Sequence, residues 1–123
     1  MFMGERKMSP RLSAAFAMVA LGRTEVTEDS PLQYLVNTLN SSSWKGIAQP
    51  FLVELARTDA IRRSLEKATV SGTRDEKVGM AYVLSISGDR ESIPYLERLT
   101  RDSDSEVARA ALNAERTLKA RLP

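Results

Sequence analysis

Acidic pairs are the first residues in this chain whose types and spacing could do chemistry. Asp102 with Asp104, and Asp75 beside Glu76, bring two carboxylates close together, an arrangement in which one group can serve as an acid while the other serves as a base or nucleophile. Each pair also stands where a helix begins. There an acidic side chain accepts hydrogen bonds from free backbone N–H groups and meets the positive end of the dipole, so capping is the expected role. The chain supplies these carboxylates with few helpers, because its 123 residues include no cysteine and no histidine. Disulfides, thiolate metal sites and thiol nucleophiles are excluded, and the commonest neutral-pH proton carrier is missing. No Gly-rich phosphate loop, metal-ligand spacing or nucleophile–base arrangement is present. The sequence predicts a protein that is not an enzyme and uses no cofactor or metal.

Charge is the next candidate. Arg57, Arg62, Arg63 and Lys67 gather in one stretch, with Arg98 and Arg101 at related positions further on. Such a cluster could neutralise phosphates. Glu54, Asp59, Glu66 and Glu97 interleave with it, and 18 basic against 16 acidic residues leave a net charge of only +2. A solvated helix exterior is expected, with weak nucleic-acid binding as an alternative. Trp44, the one tryptophan, follows "NSSS" and is expected to pack at a helix start, with ligand stacking as the alternative.

The elements that position these residues are helices. Between turn signals, apolar side chains recur three and four apart and nowhere alternate over a strand's length. The pattern predicts helices over 9–21, 31–40, 43–57, 59–69, 74–87, 91–100 and 104–121. Gly22, "NSSS", "SGT", "SGD" and "RDSDS" supply stops and caps. Pro50 falls inside the third of these, which predicts a kink or a late start near Gln49. The basic start "MFMGERK" before "LSAAFAMVALG" has the outline of a secretory signal peptide. "SP" at Ser9 and Pro10 nevertheless reads as an ordinary N-cap and first turn. With no apolar stretch of roughly 18 residues to span a membrane, a cytoplasmic location is the expectation.

The helices repeat. Arg63, Leu65, Ala68 and Ser71 stand 31 residues before Pro94, Leu96, Leu99 and Asp102, and Val78 stands 29 before Val107. Further back, Tyr34, Val36 and Leu39 precede Arg63, Leu65 and Ala68 by 29, and Ile47 precedes Val78 by 31. A period of this size implies a solenoid, in which each unit of two helices buries its apolar face against its neighbours.

The last unit resembles a HEAT repeat, of the short bacterial type found in phycobilisome lyases. Gly88 and Asp89, Ile93 and Pro94, Leu96 and Leu99, Asp102 and Asp104, then Glu106, Val107, Ala110 and Ala111 carry the likeness. Ala108 stands where that family usually has a basic residue, with Arg109 one place on, so the family's ladder of Asp/Arg pairs between repeats is not expected to form in its usual way. The resemblance implies an all-α, right-handed α-solenoid of about three and a half hairpins. The whole chain, 1–123, forms one such domain: an extension at 1–8, an unpaired helix at 9–22, and hairpins at 30–57, 59–87 and 90–121.

In that family the second helices line the concave side. With Val107 taken as pointing inward, the wheel places Arg109, Leu112 and Arg116 outward, and the same register carried back turns Met80, Val83 and Leu84, then Gln49, Leu52 and Val53, then Ala14, Ala17, Met18 and Leu21 outward. The expected site is a groove floored by Leu52, Val53, Met80, Val83 and Leu84, with Lys45, Gln49, Arg109, Asn113 and Arg116 at its rim. It would hold another protein's helix or extended segment. The alternative is that adjacent second helices bury these side chains between them. The first helix lacks a polar outer side, which predicts cover by Met1, Phe2 and Met3, a homodimer through it, or a longer array. The expected function is therefore a protein-binding scaffold, with an accessory subunit of a lyase or other modifying enzyme as the alternative.

Overall fold

The computed structural model describes residues 10–22 and 30–123. Within them the chain forms seven α-helices and no strand: α1 Pro10–Ala20, α2 Pro31–Thr38, α3 Lys45–Leu55, α4 Asp59–Ala68, α5 Arg74–Ser87, α6 Ile93–Leu99 and α7 Ser105–Arg121. A single 3₁₀ turn, Arg90–Ser92, leads into α6. The cap at Ser9 and the proposed cover by Met1, Phe2 and Met3 lie outside the described residues. Among the described residues no helix is long and apolar enough to cross a membrane.

Local chemistry sets the starts. Ser30 Oγ accepts from Gln33 N at 3.0 Å, with Pro31 in the first turn. Thr73 and Glu76 form a reciprocal capping box at α5, with bonds of 3.2 and 3.1 Å. Asp104 caps α7 by accepting from Glu106 N at 2.9 Å. Pro94 occupies the first turn of α6, where a proline costs no helix hydrogen bond. The late start near Gln49 is not found: α3 starts at Lys45 and continues through Pro50. Pro50 and Gly46, whose carbonyl loses its helical donor, are both exposed, so water can take that bond.

The contacts follow chain order. Helix α1 packs on α2 and α3, α3 on α2 and α5, α5 on α4 and α7, and α6 on α7, while α2 also reaches α5. The α2–α5 approach is tight at Gly79, where an added Cβ would lie 2.9 Å from Leu39 Cδ1. Two apolar clusters result. Leu35, Leu39, Leu52, Leu65, Met80 and Val83 belong to the first, and Leu84, Leu96, Val107, Ala111 and Leu118 to the second. Helix α5 joins them by giving side chains to both.

Candidate functional site

The predicted groove floor is corrected by this packing. Leu52, Met80, Val83 and Leu84 are fully buried, so no partner can reach them. The reason is register. The N-caps of α5 and α7, Thr73 and Asp104, are 31 residues apart, the spacing already seen between the first helices. Met80 thus corresponds to Ala111 and Val83 to Ala114, all buried. Matching Val78 to Val107 is two residues out of register, which turns a helix wheel by about 200° and exchanges covered positions for open ones.

A surface is present one stripe away. Val78, Tyr82 and Ile86, each four residues on from the last, form one face of α5; Tyr82 is 51% and Ile86 39% exposed. On one side α3 presents Gln49 and Val53, leaving a shallow depression of about 380 Å³ against Tyr82 and Ile86. On the other side α7 presents Ala110, Asn113 and Thr117 around a depression of about 460 Å³. Tyr82, Ile86 and Gln49 border both. Of the predicted residues, the structure therefore gathers Gln49, Val53 and Asn113 here. Lys45, Arg109, Leu112 and Arg116 are exposed but border neither depression. The last three lie on α7 away from its packed face of Val107, Ala111, Ala114 and Leu118. Ala14, Ala17 and Met18 of α1, and Leu21 just after it, are exposed, as the wheel places them.

The charged residues do something else. Arg63 Nη1 donates to both carboxylate oxygens of Glu66 at 2.7 and 2.6 Å, and its Nη2 donates to Asp89. Ser92 Oγ donates to Glu66 Oε2 at 2.5 Å, and Arg62 lies 3.2 Å from Asp89. Glu66 is 1% exposed. Arg62 and Arg63, read from the sequence as solvated exterior, are instead mostly covered and tie α4 to the 3₁₀ turn that leads into α6. Burial disfavours the charge on Asp89, but the hydrogen bond and charge of Arg63, helped by Arg62 and Glu91 N–H, hold its carboxyl below the usual carboxylate value. Arg63 stays charged for the converse reason. Burial opposes its charge, and the two carboxylates outweigh that, raising it above the ordinary guanidinium value. With four acids around these two arginines, the basic cluster loses its strongest case as a phosphate-binding surface.

The carboxylate pairs are structural in their contacts. Asp104 and Glu76 serve as described, and Asp102 accepts from Lys77 Nζ and Asp104 N, both at 2.8 Å. The lysine bond, then the backbone bond, holds Asp102 below its ordinary value. This Lys77–Asp102 link ties α5 to the segment between α6 and α7. Trp44 precedes α3 and packs against the first apolar cluster. Among the described residues no three acidic side chains converge as metal ligands. Comparison of the chain with protein-family models, with curated proteins and with solved structures returns no match, so the functional reading rests on this geometry.

Proposed function

We propose that this protein is a non-catalytic scaffold that holds a segment of a partner protein over the surface shared by α3, α5 and α7. Its helices are read as a right-handed α-solenoid of about three and a half HEAT-like hairpins. Two features support the repeat reading. The contacts pass from α1 to α3, α5 and α7 in chain order, and the corresponding residues Leu65 and Leu96 are both buried. The binding role rests on one observation: α5, packed on α2, α3, α4 and α7, still leaves Tyr82 and Ile86 open. An uncovered tyrosine and isoleucine beside two depressions suit a partner's side chains, since a tyrosine contributes large contact area at small entropic cost.

The test compares capture from native lysate by the wild-type chain and by a Tyr82→Glu/Ile86→Glu variant, with circular dichroism and thermal melting as fold controls. The expected result is loss of the captured protein with an unchanged melting curve. Equal capture by both chains contradicts the proposal.

A further inference from the structure

The polar groups of this surface specify what kind of segment fits it, an inference that rests on the binding role proposed above. The described residues include five carboxamide side chains: Gln33, Asn37, Asn40, Gln49 and Asn113. Three are satisfied within the protein. Gln33 Nε2 donates to Asn37 Oδ1 at 2.6 Å, and Asn40 donates to Glu76 at 2.7 Å while accepting from Thr73 at 2.5 Å. Gln49 and Asn113 make no side-chain hydrogen bond to any described residue. Gln49 on α3 borders both depressions, Asn113 on α7 borders the larger one, and Tyr82 lines both.

Among the remaining lining residues Glu54 alone is charged; it is exposed and stands 3.6 Å from Arg57, while Val53, Tyr82, Ile86 and Thr117 carry no charge. A charged side chain buried in the depression between α5 and α7, whose lining is wholly uncharged, would lose its hydration without gaining a counter-ion. A carboxamide offers a donor and an acceptor in one plane, which matches the C=O and N–H of a peptide group. A bound helix keeps those backbone groups in its own i to i−4 bonds. An extended segment leaves them free.

We infer that the occupant is an extended, uncharged stretch of polypeptide crossing α3, α5 and α7. Its apolar side chains enter the two depressions, and its backbone pairs with Gln49 and Asn113. Neighbouring helix axes stand roughly 8–10 Å apart, an interval that an extended chain covers in about three residues, so about six or seven residues cross the surface.

The probe is a synthetic peptide obtained by selecting a random displayed library on the full chain. Binding is measured by calorimetry, and the peptide's conformation by difference circular dichroism. The expected result is an uncharged peptide that gains no helix on binding and loses affinity by about tenfold with Gln49→Ala/Asn113→Ala, the size of two lost hydrogen bonds, while melting is unchanged. Tyr82→Ala weakens it as well. A peptide that turns helical, or one indifferent to the carboxamide variants but still sensitive to Tyr82→Ala, overturns this inference and leaves the binding surface standing. A peptide indifferent to Tyr82→Ala, or a selection that yields no binder, overturns both.

Discussion

Glu66 is a carboxylate at 1% exposure, hydrogen-bonded by Arg63 and Ser92. Removing one partner of a buried pair leaves the other uncompensated, so Arg63→Ala is expected to cost about 3 kcal/mol in urea unfolding. Arg63→Lys recovers only part of it, because an ammonium does not span Glu66 and Asp89 as the guanidinium fork does. Acid exposes the same network. Asp89 has a folded value below its unfolded one, so its contribution is complete above the unfolded value of about 4 and disappears as pH falls through the lower folded value. Stability of the wild type therefore declines across that acid window, and Asp89→Asn flattens the decline. None of this is legible in the sequence, where "DAIRRSLEK" gives acids and arginines at ordinary surface spacing. Glu66 is bonded by Ser92, 26 residues further along, and only tertiary packing brings that residue to α4.

At the scale of the element the sequence is far more informative, because starts and stops are local chemistry. Thr73 with Glu76, Asp104 with Glu106, and Pro94 in its first turn each act within four residues. The helix bounds follow from them to within a residue or two. Thr73→Ala removes both the cap of α5 and the bond to Asn40, and is expected to cost about 1–2 kcal/mol by denaturant unfolding. The "GD" of the last unit also acquires a reason. A Cβ at Gly88 would collide with the Leu84 carbonyl, and it would lie 2.9 Å from Ser92 Oγ, while Asp89 Oδ1 accepts from Glu91 N at 3.0 Å. Gly88→Ala is expected to lower stability by about 1–3 kcal/mol, the range for a forced backbone shift, as seen in a thermal melt. No such clash is found for Gly46→Ala, since nothing lies within 4 Å of a Cβ there.

For the whole molecule, all-helical character and the thirty-residue period are readable because apolar spacing and caps repeat together. The proposed binding surface is not. It depends on how far each helix is turned against its neighbour, and a slip of two residues moves the reading from Tyr82 and Ile86 to Met80, Val83 and Leu84. Gln49, Val53 and Asn113 survive that slip because they border the α5 stripe from α3 and α7. Helix α5 is thus read as having two faces with separate tasks, one closing the core and one left open for a partner. The chain's lack of cysteine gives a direct measurement of this: the rate of thiol labelling in Met80→Cys, Leu84→Cys, Tyr82→Cys and Ile86→Cys variants under native conditions, with and without the selected peptide. Labelling is expected to be fast at positions 82 and 86, slowed there by the peptide, and strongly protected at 80 and 84 throughout. Comparable rates at all four positions, or protection at 82 and 86 before any peptide is added, would contradict the account.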